Sequence, residues 1–231
     1  MSNKVLVIVI ILVMVIIAGV GIGIVSIIEL NKENKQHTTS TSELNNTINK
    51  NENEKNKNEE EKSMYSSGTH HATIVIKDYG TVELELYADI APITVANFAK
   101  LVNEGFYNGL TFHRIIDGFM IQGGDPEGTG FGGSSETIKG EFKVNGVNNN
   151  ISHVRGVISM ARSSAYNSAS SQFFIVQKDS TYLDGQYAGF GKVTDGMEVV
   201  DKICEVTPVT DNNGSVLKDN QPIIEKITMI D

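Results

Sequence analysis

The sequence predicts a mainly β protein: a closed or nearly closed antiparallel β-barrel capped by two α-helices. In the chain it is preceded by one N-terminal transmembrane helix and a disordered tether. Three observations support this class. Many short segments between His71 and Asp231 alternate apolar and polar residues, two segments have helical spacing, and the first 70 residues have a different composition. We therefore divide the chain into residues 1–30, 31–70 and 71–231.

The first segment is interpreted as a membrane anchor. Residues 5–28 contain no charged side chain. A helix of that length spans about 36 Å, enough to cross a hydrocarbon core with some tilt. A cleavable signal peptide is the alternative, but its apolar region usually covers about 7–15 residues and ends in small residues. We expect a single-pass cell-membrane protein whose third segment, residues 71–231, lies on the extracytoplasmic side.

The second segment, residues 31–70, is rich in Asn, Lys, Glu, Ser and Thr and has few large apolar residues. Such a composition buries too little apolar surface to offset the entropy lost on ordering. Its positive and negative charges largely cancel. We interpret it as a solvated tether, with a binding tail as the alternative.

The elements of the third segment follow in order. Residues 72–87 alternate on both sides of a turn at Asp78–Gly80, which is typical of a hairpin. Residues 91–107 have helical spacing, with Pro92 near the start and Gly105 after the end. A second helix is predicted for residues 195–206, with Asp195 as its cap. The other short strands are predicted in residues 110–116, 119–125, 154–162, 171–177, 187–193 and 223–230.

Composition excludes several functions for the domain. The chain has a net charge of −9 and its third segment is also acidic, which argues against general nucleic-acid binding. The single cysteine, Cys204, rules out an intrachain disulfide. No His, Cys or carboxylate cluster has zinc spacing, and the glycine-rich loop after Asp125 lacks the ending of a phosphate-binding loop. Asn45, Asn150 and Asn213 each begin an Asn-x-Ser/Thr triplet.

Arg114 is the residue that most needs explanation. In "FHRIIDGFMIQGGD", residues 112–125, alternation places Arg114, Met120 and Gln122 on one face, with Phe119 at the turn. Only three of the 19 basic residues are arginine. A structural ion pair is the simplest interpretation, but the guanidinium fork is also suited to directed hydrogen bonding.

Four motifs together resemble the cyclophilin family of peptidyl-prolyl cis/trans isomerases: "FHRIIDGFMIQGGDPEGTG", "GVISMAR", "SASSQFFIV" and "YLDGQYAGFGKV". The resemblance runs through residues 71–231 and looks similar to bacterial-type members. It implies an eight-stranded barrel with two capping helices. It also implies isomerisation of X-Pro bonds in exported or surface proteins, with unfolded proline-containing polypeptides as partners and no cofactor or metal.

The same resemblance implies the site residues. Arg114 matches the catalytic arginine, and Phe119, Met120 and Phe174 match the proline pocket. The other matching groove residues are Gln122, Ala161, Gln172, Tyr182, Leu183 and Tyr187. Gln122 is expected to hold the arginine, and the residue before the proline is expected to lie towards Ala161.

The sequence departs from the familiar family pattern at three positions. Tyr182 stands where many members have tryptophan, Tyr187 where many have histidine, and Arg162 where many have asparagine, in a loop that is one residue longer. These changes imply retained peptide binding and weakened binding of cyclosporin. A non-catalytic module that binds proline-containing partners is the alternative function. From the net charge we expect a preference for neutral or basic peptides.

Overall fold

The computed structural model describes residues 64–231. The predicted anchor and nearly all of the predicted tether lie outside the described residues. Within 64–231, no helix combines the length and apolar character needed to cross a membrane. The first strand begins at Thr69 and Tyr65 is already buried, so folded structure starts before residue 71, where the alternating pattern begins.

Eight strands form one sheet in which every neighbouring pair is antiparallel. Their order across the sheet is β3-β4-β6-β5-β7-β2-β1-β8. The strand number and the antiparallel pairing agree with the prediction. The bounds are β1 Thr69–Ile76, β2 Gly80–Tyr87, β3 Thr111–Ile116, β4 Met120–Asp125, β5 Val157–Met160, β6 Phe173–Val176, β7 Gly189–Asp195 and β8 Ile224–Met229.

The two end strands, β3 and β8, meet over a short distance. Thr111 forms an isolated bridge with Ile223, and residues 109–112 exchange backbone hydrogen bonds with residues 222–224. The rest of the β3 edge is covered by residues 214–216, whose backbone bonds to residues 113–115. Of the two predicted forms, closed and nearly closed, the sheet has the second: β3 and β8 are joined directly only at one end, because a loop takes the remaining edge of β3.

The first helix, α1, covers Pro92–Asn103, packs its buried face against the main core and contacts β2 and β8. Pro92 occupies the first turn, where its missing N–H is tolerated. The buried Glu141 carboxylate accepts hydrogen bonds from the backbone N–H groups of Ile93 and Thr94, so it satisfies the helix start. Phe98 then contacts the rings of Tyr107, Phe173 and Phe190 in the core.

The second helix, α2, covers Met197–Val206 and begins differently from the prediction. Asp195 is the last residue of β7, and the helix cap is Gly196, which makes no side-chain cap. Gly196 has φ 89°, and a Cβ there would lie 2.3 Å from the carbonyl oxygen of Thr81. A glycine is required by this close approach, and the cap assigned to Asp195 was wrong.

Part of the sheet buries apolar side chains on both faces, and this positions the site. All four residues of β5 and all four of β6 are buried. One face contributes to the main core inside the sheet. The other face forms a second cluster, on the outside, made of Met120, Val157, Phe174, Val176 and Leu183. This second cluster gives the outer face an apolar floor, and ligand pockets are lined mainly by hydrophobic and aromatic side chains.

Candidate active site

Strand pairing places three of the predicted site residues in one row. Arg114 on β3 lies opposite Gln122 on β4, and Gln122 lies opposite Phe174 on β6. Directly opposite residues of antiparallel strands point to the same face of a sheet. The row therefore presents a cation, an amide and an aromatic ring side by side on the outer face.

The Arg114 guanidinium is held at both ends. Its Nε and Nη2 donate to the backbone oxygen and Oδ1 of Asn213, at 2.8 and 3.1 Å, and its Nη1 donates to Oε1 of Gln122 at 3.2 Å. Nη1 also lies 4.0 Å from Sδ of Met120, a weak acceptor, so one of the five N–H groups, on Nη2, is left for another acceptor. Partial burial lowers the pKa of Arg114, which still stays far above neutral pH because arginine is effectively always charged.

A cavity of about 230 Å³ lies beside this guanidinium. Eight of the ten predicted site residues line this cavity. Its lining is Arg114, Phe119, Met120, Gln122, Ala161, Arg162, Phe174, Leu183 and Tyr187. Most of these side chains are apolar or aromatic; the polar ones are two guanidinium groups, of Arg114 and Arg162, and the amide of Gln122 beside Arg114. Such a lining suits a small apolar ring flanked by a hydrogen-bonding group.

The two remaining predicted residues lie next to this cavity. The Tyr182 ring is 5.9 Å from the Phe119 ring and is 64% exposed, so it forms the outer rim. Gln172 lines a neighbouring cavity of about 480 Å³ that shares Gln122, Ala161 and Arg162 with the first. It accepts from Gln122 at 2.9 Å and donates to the carbonyl of Gly132 at 2.7 Å. The predicted set is thus brought together on one surface.

A buried polar network supports the cavity from below. The His153 ring stacks on Phe174, with Nε2 3.0 Å from Oγ of Ser159 and Nδ1 3.0 Å from the Asp184 carboxylate. Burial lowers the pKa of His153 even though Asp184 raises it, so the ring is neutral at pH 7. Ser159 and His153 are fully buried, so this network positions Phe174 and has no access to substrate.

Two site residues escaped the sequence reasoning. Asn213 was noted only as the start of an Asn-x-Ser triplet, yet it makes two of the Arg114 contacts. Arg162 was noted as a departure from the family pattern, yet it lines both cavities. The Asn213–Gly214 turn signal after α2 could have indicated an ordered loop, but not which strand it would cover. Within the described residues, no group of three His, Cys, Asp or Glu side chains is arranged to hold a metal.

Comparisons with known proteins agree with this geometry. Residues 71–229 match the family model described as cyclophilin type peptidyl-prolyl cis-trans isomerase/CLD. Peptidyl-prolyl cis-trans isomerase B of Bacillus subtilis is 46% identical over 145 residues, which are 63% of this chain and 92% of the relative. A peptidyl-prolyl cis-trans isomerase of Helicobacter pylori is 47% identical over 137 residues, 58% of this chain and 80% of the relative.

A solved structure shares the fold. It is the cyclophilin type peptidyl-prolyl cis-trans isomerase of Cryptosporidium parvum in the presence of the dipeptide Ala-Pro. The TM-score is 0.61 and the sequence identity 34%, over 70% of this chain and 99% of the other.

Proposed function

The chain belongs to the cyclophilin-type peptidyl-prolyl cis-trans isomerases, and we propose that the 230 Å³ cavity holds the proline ring of its substrates while Arg114 accelerates the bond rotation. The reaction is the interconversion of cis and trans X-Pro peptide bonds. In this assignment Phe119, Met120 and Phe174 contact the ring, and the remaining predicted residues contact the adjoining chain.

The energy barrier to rotation about the X-Pro bond determines what the site must supply. Rotation about a peptide bond costs about 18–20 kcal/mol because the nitrogen lone pair is delocalised into the carbonyl group. In the twisted transition state the lone pair returns to the nitrogen, which becomes a hydrogen-bond acceptor. A donor fixed near that nitrogen stabilises the twisted state more than either planar isomer, and this difference is what accelerates the reaction.

The observation that carries the assignment is the way Arg114 is fixed. Asn213 and Gln122 accept from three of its N–H groups at the end of an apolar cavity. A fourth, on Nη1, faces the weak acceptor Sδ of Met120 at 4.0 Å, and one on Nη2 is left for a substrate. A guanidinium with fixed orientation needs little reorganisation during the reaction. The role requires no covalent bond to the enzyme and no proton transfer.

We further propose that the substrates are unfolded, proline-containing polypeptides on the extracytoplasmic side of a cell membrane. Residues 5–28 carry no charge and are long enough to anchor the chain, and the polar segment after them would let the domain reach its substrates. The solved relative with Ala-Pro supports a proline-containing ligand. The assignment to the bacterial type rests on Tyr182 and Tyr187, which also weaken the expected binding of cyclosporin.

The experiment measures kcat/KM of the purified full-length chain on a proline peptide, with Arg114→Ala and Arg114→Lys. We expect Arg114→Ala to lower kcat/KM by about 10²–10³, as for loss of one transition-state donor. Arg114→Lys should also be slow, since an ammonium cannot reproduce the fork.

The matched control is Arg155→Lys, because Arg155 pairs with Asp201 and lines neither cavity. It should retain near-normal turnover. A folded Arg114→Ala variant with near-normal turnover would overturn the assignment, and a wild-type chain that binds the peptide without accelerating it would favour the non-catalytic module.

A further inference from the structure

Arg162 lies on the boundary between the two cavities. It lines the 230 Å³ cavity together with Arg114, and it lines the 480 Å³ cavity together with Gln172. Ala161, the preceding residue, is also shared by both cavities. A peptide that leaves the proline cavity past Ala161 therefore passes Arg162.

Aromatic rings hold the Arg162 guanidinium. Its Cζ lies 4.6 Å from the ring centroid of Tyr187, 5.0 Å from that of Phe142 and 5.3 Å from that of Tyr166. Tyr166 belongs to the longer loop, which folds back so that its ring also contacts Phe142. Contact with three rings stabilises a cation and limits the movement of its plane.

Hydrogen bonds fix the edge of the same guanidinium. Its Nε and Nη2 donate to the backbone oxygen of Gln186 at 3.2 and 2.8 Å, and its Nη1 donates to the backbone oxygen of Ser163 at 2.9 Å. All three bonds go to neutral carbonyl groups. The full positive charge is therefore not neutralised by these contacts, and two N–H groups are left for another acceptor.

The charge of the groove differs from the charge of the chain. The chain has a net charge of −9, yet the described lining of the two cavities contains two guanidinium groups and no Asp or Glu. At moderate salt, exposed charges beyond about 10 Å are largely screened. The nearest carboxylate, Asp125, lies behind Gly132 and already accepts from the backbone N–H groups of Glu127, Thr129 and Gly130. A substrate side chain at the boundary of the cavities therefore meets a guanidinium first, and the preference for neutral or basic peptides expected from the net charge does not extend to that position.

We infer that Arg162 is a specificity-determining residue that selects substrates carrying a carboxylate side chain in one of the two residues before the proline. This inference rests on the proposed site. An extended peptide advances about 3.3–3.6 Å per residue, so these two residues are the ones that cross the boundary between the cavities. A carboxylate there accepts from the free N–H groups of Arg162, while Arg114 remains engaged at the proline.

The test compares peptides that differ only by Glu or Gln at each of these two positions, with kcat/KM measured on the full-length chain at about 0.15 M salt. In the wild type, Glu should be favoured over Gln by about two- to fivefold in at least one position, the size of an exposed ion pair. In Arg162→Gln the ratio should fall to about one. The ratio is read within one variant, so a general loss of turnover does not affect it.

Lys226→Gln is the matched control, because it removes the same charge from an exposed position on β8 outside both cavities. Its Glu:Gln ratio should equal that of the wild type. A wild-type ratio near one at both positions, or a preference that persists in Arg162→Gln, would overturn the inference. Failure of the proposed site is distinct: it would appear as unimpaired turnover in Arg114→Ala, whatever the ratio.

Discussion

Asn213 offers the sharpest test of how Arg114 is positioned. Its Oδ1 accepts from Nη2 of Arg114 at 3.1 Å, while its backbone oxygen accepts from Nε at 2.8 Å. Asn213→Ala removes the first bond and keeps the second. Asn213 has a negative φ, since Asp78 is the one non-glycine residue with positive φ in the described chain. Alanine therefore fits the backbone at position 213 without strain.

The size of the effect follows from the bond that is lost. A hydrogen bond to a charged group contributes about 1.5–3 kcal/mol, and the exposure of Asn213 reduces this to about 0.5–1.5 kcal/mol. Since about 1.36 kcal/mol corresponds to a tenfold change in rate, Asn213→Ala should lower kcat/KM by about two- to twelvefold. The remaining bonds to Gln122 and to the backbone oxygen explain why the loss is smaller than in Arg114→Ala.

The assay is turnover of a proline peptide by the full-length chain, with thermal unfolding as the check on folding. Asn212→Ala is the control, since this exposed neighbour in the same loop makes none of the Arg114 bonds. It should match the wild type. If Asn213→Ala and Asn212→Ala have the same turnover as the wild type, the fixed orientation of Arg114 contributes nothing measurable and the positioning argument fails.

Three further predictions concern binding, stability and topology. Phe119→Ala should raise KM by about tenfold with a smaller change in kcat, because it removes apolar contact with the proline ring; an unchanged KM would exclude Phe119 from the pocket. Burial lowers the folded-state pKa of His153 and of His113 below the unfolded value of about 6.5. The free energy of unfolding should therefore be highest above pH ~6.5, and below that pH it should fall by up to about 1.4 kcal/mol per pH unit for each of these histidines. Denaturant unfolding at pH 7.5 and at pH 5.0 measures this fall, which should be smaller in His153→Gln than in the wild type. Protease added to intact cells should release the folded domain by cutting within residues 31–63; a domain that stays protected until the membrane is broken would place it on the other side.

The strands and the shared face of Arg114, Met120 and Gln122 could be predicted because they depend on local patterns, whereas Phe174 and the other groove residues were implied by the family resemblance. Alternation fixes which residues share a face, and a short turn at Asp117–Gly118 fixes that Arg114 and Gln122 lie opposite each other. Pro92 and Gly105 likewise indicate the limits of α1 from chemistry within a few residues. These features need no knowledge of distant contacts.

The missed features all depend on contacts between distant parts of the chain. Asn213 reaches Arg114 from 99 positions along the sequence, because residues 214–216 cover the edge of β3. Gly196 caps α2 at a position where a Cβ would collide with the Thr81 carbonyl, and no local pattern reveals this contact. Arg162 is held by rings from three separate segments. A local propensity rule cannot anticipate such tertiary neighbours.

The central claim is that Arg114 acts on the twisted transition state more than on the bound peptide. The measurement is a comparison, for wild type and Arg114→Ala, of the kcat/KM for a proline peptide with the Kd of the same peptide from a direct titration. An interaction made mainly in the transition state lowers the rate far more than the affinity. We predict that kcat/KM falls by about 10²–10³ while Kd rises by less than about threefold. A Kd that rises as much as kcat/KM falls would contradict the account, because Arg114 would then be a binding residue only.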